Sequence, residues 1–147
     1  MKKILTAILL LSMAMPVAAA PKNPEAASYN YKITRVVDGD TVAFQADFLP
    51  APLKPELSVR VFGVDTPEKG HRAQCPSEAE RGEAASAFTK KLVAASKTQS
   101  IVLMSWDKYG GRVLGDVILD GKSLRKQLID QGFAREYYGE AKQSWCK

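Results

Sequence analysis

The chain has 147 residues, 46% hydrophobic and 25% charged, which suits one small globular domain and excludes a disordered, collagen-like or multi-span membrane protein. The formal net charge is +5. Two cysteines are too few for a disulfide scaffold or a four-thiolate zinc site, and one histidine excludes a metal centre needing two imidazoles and leaves little room for a Ser-His-Asp hydrolase.

Met1-Lys2-Lys3 is a short positive start, followed by an almost unbroken apolar run from Ile4 to Met15. Pro16 ends the run, and Val17-Ala18-Ala19 forms a small-x-small site. This layout predicts a secretory signal peptide over residues 1–19, cut after Ala19. The run is shorter than the roughly 20 residues a membrane span needs, so no stable membrane association is expected after cleavage. Cleavage removes Lys2 and Lys3, taking Lys+Arg from 21 to 19 against 16 acidic residues, a net +3. The expected location is periplasmic or secreted. Export would place Cys75 and Cys146 in an oxidising compartment, where two thiols pair. By chain entropy such a bridge is worth about 4 kcal/mol at most.

Residues 20–28, rich in Pro, Ala and Asn, read as a flexible leader. Tyr29 to Val37 alternates like a strand. Asp38-Gly39 is a turn signal, and Thr41 to Phe44 follows as a second strand. Pro50, Pro52 and Pro55 make Leu49–Glu56 a loop. Leu57 to Val64 reads as a third strand, ended by Asp65-Thr66-Pro67. Lys69 to Pro76 reads as an irregular surface loop. Ser77 to Ala95 is the best helix, with Ser77 as expected cap and Ala85, Phe88 and Leu92 as its core stripe. Ile101–Met104 and Val113–Leu119 are two more strands, joined by Asp107–Gly111. Ser123 caps a short helix carrying Leu124, Leu128 and Ile129, and Gly132 stops it. The expectation is an α+β domain over residues 29–139: a small five-stranded OB-type barrel with two or three helices, then a short tail, 140–147.

Two acidic turns stand out, Asp38-Gly39-Asp40-Thr41 and Asp65-Thr66-Pro67-Glu68. Paired carboxylates suit a hard cation such as Ca²⁺. Spacing alone leaves each turn open to a plain structural role. Arg60 lies between Val59 and Val61 on the strand leading to Asp65, and a covered arginine needs an anionic partner, either structural or a substrate phosphate. Arg112 follows a flexible turn containing Lys108 and Tyr109. Together the arginines and acidic turns on a basic exported chain suggest phosphodiester chemistry.

Asp38-Gly39-Asp40-Thr41-Val42, Arg60…Val64-Asp65-Thr66-Pro67-Glu68, Ala85-Ser86-Ala87-Phe88-Thr89-Lys90-Lys91 and Asp107-Lys108-Tyr109-Gly110…Arg112 occur in order. This set resembles the thermonuclease (staphylococcal nuclease) family over about Tyr29 to Tyr138. The motifs are weak singly and specific as an ordered set. The resemblance implies an OB-fold, Ca²⁺-dependent nuclease acting on DNA and RNA and leaving 3′-phosphate products. It implies Asp40, Asp65 and the Thr66 carbonyl as metal ligands, and Glu68 as general base. Arg60 and Arg112 would clamp the scissile phosphate. Lys108 and Tyr109 would lie near a terminal phosphate, and Tyr138, or else Tyr137, at the nucleotide pocket.

Three departures from the best-known member stand beside this. Gly110 and Gly111 precede Arg112 where that member has one glycine. The Leu49–Glu56 loop is longer and richer in proline. The chain stops soon after Gly139, where that member continues into a further helix. His71 reads as solvent-facing, Trp106 as packing or a base-stacking face, and Trp145 as a tail anchor. Lys90-Lys91 and Arg125-Lys126 read as solvated helix faces. The expected partners are DNA and RNA, single strands preferred, bound by a monomer. The alternative is a catalytically inactive OB module binding single-stranded nucleic acid, which would have no need of acidic turns.

Overall fold

The computed structural model describes residues 27–146, so the expected signal segment and most of the expected leader lie outside the described residues. Among the described residues there are nine strands: β1 (Ser28–Tyr29), β2 (Ile33–Asp38), β3 (Thr41–Gln45), β4 (Glu56–Val61), β5 (Val64–Asp65), β6 (Gln99–Trp106), β7 (Arg112–Leu119), β8 (Lys122–Ser123) and β9 (Arg135–Glu136). Two α-helices, α1 (Pro76–Ala95) and α2 (Leu124–Asp130), join them, with a short 3-10 turn over Gly70–Arg72. Only β2, β3, β4, β6 and β7 exceed two residues, and these are the five expected strands of an α+β domain of OB type.

The main sheet runs β1-β6-β7-β4-β3-β2, with β8 paired to β7. All its pairings are antiparallel except β4 with β7. Among the described residues no pairing joins β1 to β2, so the path is open rather than a closed ring. β5 and β9 form a separate two-stranded ribbon beside it.

The core follows from side-chain parity. On β7, Val113, Val117 and Leu119 are buried while Leu114, Asp116 and Ile118 are half-buried on the other face. Val59 and Val61 of β4, Val42 and Phe44 of β3, and Ile101 of β6 join them. Leu124 and Leu128, one turn apart on α2, close the core from below the sheet edge. The helix α1 packs on the β2–β3 turn: Ala85 is fully buried, and the Thr89 hydroxyl donates to the Gly39 carbonyl at 2.6 Å. Phe88 stacks on Phe133 with ring centroids 4.6 Å apart.

Three local expectations are corrected. The leader ends earlier than expected: Ser28 and Tyr29 pair with Val102 and Ile101, so they form an edge strand. The strand expected from Leu57 to Val64 breaks at Phe62-Gly63, where Gly63 has φ +76°. Beyond that turn Val64 is buried. The N-cap of α1 is Cys75, not Ser77, with no side-chain capping bond. Pro76 opens the helix, where its missing N–H costs nothing. Ser123 does cap α2, its hydroxyl accepting from the Lys126 N–H at 3.2 Å.

The expected disulfide is formed. Cys75 and Cys146 are bridged with Cα atoms 5.9 Å apart and 71 positions between them in sequence. It ties the C-terminal segment to the start of α1.

Candidate functional site

The parallel β4–β7 pairing aligns Ser58 with Arg112 and Arg60 with Leu114. Parity then puts Arg60 and Arg112 on one face, opposite the buried Val59, Val61 and Val113. That face floors a cleft of about 660 Å³. Four carboxylates line it, Asp38, Asp40, Glu68 and Asp107, against five cations, Arg60, Arg72, Lys108, Arg112 and Lys142. The expected substrate residues Tyr109 and Tyr138 line the same cleft, as do Tyr137 and Thr66.

Each cleft arginine is held by a carboxylate. Arg60 is covered as expected, and its Nη2 lies 2.9 Å from Asp40 Oδ2, with both side chains largely buried. Asp40 is placed by its own backbone, whose carbonyl accepts the Val61 N–H at 2.8 Å. Arg112 pairs through Nε with buried Asp107. Burial raises the pKa of Asp107, but the hydrogen bond and charge of Arg112 outweigh it and hold the carboxyl below its ordinary value. The two glycines before Arg112 are absorbed by the turn: both have positive φ, +70° and +72°, and the Asp107 N–H still meets the Arg112 carbonyl at 3.0 Å.

The loop carrying Glu68 is not irregular. Arg72 pairs with Asp38, and its Nε lies 3.4 Å from Glu68 Oε2. Asp38 raises the Arg72 pKa further. Lys69 donates to the Val37 carbonyl at 2.8 Å. Buried Glu78 of α1 accepts the Glu68 N–H at 3.3 Å and the Gln74 N–H at 2.7 Å. Gly82 lets α1 approach still closer, since a Cβ there would lie 2.4 Å from the Glu68 carbonyl oxygen. His71 is exposed, as expected.

Asp65 is the one expected carboxylate that does not line the main cleft. It lines an adjoining pocket of about 140 Å³, which shares Thr66, Glu68 and Lys142 with the cleft. Its Oδ1 faces Lys142 Nζ at 2.6 Å and its Oδ2 accepts the Trp145 indole N–H at 2.9 Å. Asp40 Oδ2 and Asp65 Oδ1 are buried and accept no hydrogen bond of good geometry, each facing only a cation. Carboxylate oxygens of this kind are the ligand type a hard divalent cation takes; Asp40 lines the cleft and Asp65 the adjoining pocket, with Thr66 lining both. Among the described residues, the only three potential ligand side chains with atoms all within 4.8 Å are Cys75, Glu78 and Cys146. The disulfide occupies both of those sulfurs, so that cluster offers no thiolate.

Trp106 is exposed and lines the cleft mouth rather than packing inside. Tyr109 and Tyr138 are also exposed, with Lys108 Nζ 4.9 Å above the Tyr109 ring and Phe62 edge-on to Tyr138. Arg125 is not a solvated helix residue: it bonds the Tyr138 hydroxyl and Glu136. Lys126 pairs with Asp130 one turn on.

Sequence reasoning missed Asp107, Arg72, Glu78 and Lys142 as site residues, and gave Trp145 only an anchoring role. Asp107 was visible as the acid nearest before Arg112. Arg72 and Lys142 come from a loop and a tail whose placement no local pattern encodes, and Glu78 sits in the first turn of α1, where an acidic residue reads as complementing the helix dipole.

The family profile described as "Staphylococcal nuclease homologue" matches residues 58–145. The chain is 32% identical to a thermonuclease of Staphylococcus intermedius over 92% of this chain and 82% of that protein. It is equally identical, with the same coverage, to a thermonuclease of Staphylococcus hyicus. It is 35% identical to endonuclease YncB of Bacillus subtilis (strain 168) over 74% of this chain and 48% of that one.

Proposed function

The chain belongs to the staphylococcal nuclease family, and on that premise we propose that it is an exported, Ca²⁺-dependent nuclease hydrolysing phosphodiester bonds of DNA and RNA. The observation that carries the reading is the pair Arg60 and Arg112, side by side on one sheet face and each balanced by a carboxylate.

That balance gives the chemistry. A phosphodiester is anionic and repels an attacking hydroxide. Two guanidiniums on its oxygens offset the charge and stabilise the extra charge of the five-coordinate transition state. When substrate arrives, the phosphate takes Arg60 and Arg112, and Asp40, which held Arg60, needs a new positive partner. Asp40 and Asp65, with the Thr66 carbonyl, would hold the cation. When bound, the cation lowers the charge barrier and makes water more acidic. Glu68, on a loop pinned by Glu78 and Arg72, accepts the proton of the attacking water. Water adds to phosphorus, the bond to the 5′ oxygen breaks, that oxygen takes up a proton, and a 3′-phosphate remains.

Lys108 and Tyr109 at the rim engage a terminal phosphate. Tyr138 and Trp106 offer exposed faces on which unpaired bases stack, which favours single strands. The Cys75–Cys146 bridge fits an oxidising compartment outside the cytoplasm. Cleavage of single-stranded DNA with Ca²⁺, against a chelated control, tests this reading.

A further inference from the structure

We propose that Trp145 is a positioning residue for the carboxylate of Asp65, and that the Cys75–Cys146 bridge keeps it in place. The proposal rests on the reading of Asp65 as a cation ligand.

Asp65 leaves the sheet on the two-residue strand β5, where its backbone pairs with Arg135 of β9. Its side chain is buried, so solvent does not fix its rotamer. The buried indole N–H of Trp145, eighty positions later, donates to Oδ2 at 2.9 Å. With Oδ2 held by a rigid donor, Oδ1 is the oxygen left for a cation: it is buried, accepts no hydrogen bond of good geometry and faces Lys142 Nζ at 2.6 Å. Donors behind a ligating side chain set its orientation in this way.

Trp145 is itself tightly held. Its ring lies under the Arg135 guanidinium at 3.7 Å, and its carbonyl faces Arg81 Nη1 at 3.4 Å. Arg135 also donates to the carbonyls of Gln143 and Ser144. The next residue, Cys146, is covalently fixed to the start of α1. A closed circuit results: β9 holds the strand of Asp65, Arg135 holds the indole, and the indole holds the carboxylate. A hydrophobic anchor alone needs the ring buried, but it does not need the N–H aimed at a buried carboxylate oxygen.

The test is a calorimetric titration of the purified, disulfide-bonded chain with Ca²⁺, without nucleic acid. Trp145→Phe keeps an aromatic ring for Arg135 and removes the N–H donor together with the five-membered ring that carries it. It is expected to raise the Ca²⁺ Kd about 10- to 100-fold, the usual scale for losing such a partner. Cys75→Ser/Cys146→Ser is expected to weaken binding similarly, and adding Trp145→Phe to it should change little more. The second readout is the Trp145 indole N–H resonance, assigned with Trp106→Phe, since the chain has two tryptophans. It should shift along the same Ca²⁺ titration. Equal Kd values in the wild type and a folded Trp145→Phe overturn the positioning role and leave the metal reading intact. An indole resonance unmoved at saturating Ca²⁺ does the same even where the variants fail to fold. No Ca²⁺ binding by a wild type that still cleaves DNA overturns the metal reading, and the proposal falls with it.

Discussion

The guanidinium of Arg60 lies 2.9 Å from the buried carboxylate of Asp40, across the β3–β4 pair that aligns Thr41 with Arg60. Removing the arginine therefore does two separable things. It deletes the guanidinium proposed to bind the phosphate, and Arg60→Ala is expected to lower turnover at least about 10²-fold, the scale of losing one charge-stabilising group. It also strands a buried carboxylate, so the substrate-free protein loses stability. Thermal melts should show a lower Tm without Ca²⁺ and a larger Ca²⁺-induced rise than in wild type, because the cation replaces the lost charge.

Gly82 is expected to be intolerant of a side chain. A Cβ there meets the Glu68 backbone carbonyl at 2.4 Å, and a backbone atom cannot swing aside as a long side chain can. Gly82→Ala must push the Glu68 loop off α1 and stretch the Glu78–Glu68 bond. The expected outcome is a kcat reduced more than KM is raised, because the role proposed for Glu68 lies in the chemical step. Steady-state kinetics on the variant check it.

Asp107 carries a pH prediction. Its folded pKa lies below the unfolded value, because the Arg112 bond outweighs burial. A lowered carboxylate pKa contributes stability that is fully present above the unfolded value, about 3.9. That stability is lost as pH falls through the lower folded value. Asp107→Asn should therefore destabilise the protein at neutral pH and narrow its difference from wild type as pH drops below about 4. Chemical denaturation across pH measures this.

Lys142 faces Asp65 Oδ1 at 2.6 Å from a half-exposed position, so a bound cation must displace it. Lys142→Ala is expected to tighten Ca²⁺ binding, opposite in sign to Trp145→Phe, in the same titration.

Trp106 stands exposed at the cleft mouth. Trp106→Ala is expected to weaken single-stranded DNA binding by about 1–3 kcal/mol, one stacked base, while leaving the fold unchanged. Fluorescence anisotropy with labelled oligonucleotides in Ca²⁺-free buffer reads it out.

The difference between Trp106 and Trp145 shows where sequence reading stopped. Period-two alternation made β4 and β7 legible, but the parallel pairing that puts Arg60 and Arg112 on one face was not read from it. The ordered motifs placed Asp40, Glu68, Lys108, Tyr109 and Tyr138 around what is one cleft. Gly63 hid the break that turns Val64 inward, because a glycine inside an alternating run reads equally as strand or turn. Cys75 and Pro76 took the helix start from Ser77, since a proline at the first position competes with a side-chain cap. Trp145 and Lys142 reach Asp65 on a tail that a disulfide spanning 71 positions and the contacts of Arg135 and Arg81 hold against the domain. Contacts at that separation leave no local pattern. Trp106 is apolar beside a strand end, and nothing in its neighbours says which face is covered.

The most direct measurement is cleavage of single-stranded DNA by the purified chain in Ca²⁺ and then in EGTA, beside a folded Glu68→Gln/Arg112→Ala double variant. The expected result is Ca²⁺-dependent cleavage that EGTA abolishes and the variant lacks. Cleavage that persists in EGTA, or that the folded variant retains, would contradict the assignment of this cleft. No cleavage with any divalent cation, with salt-sensitive DNA binding intact, would contradict the nuclease itself and leave a nucleic-acid-binding module.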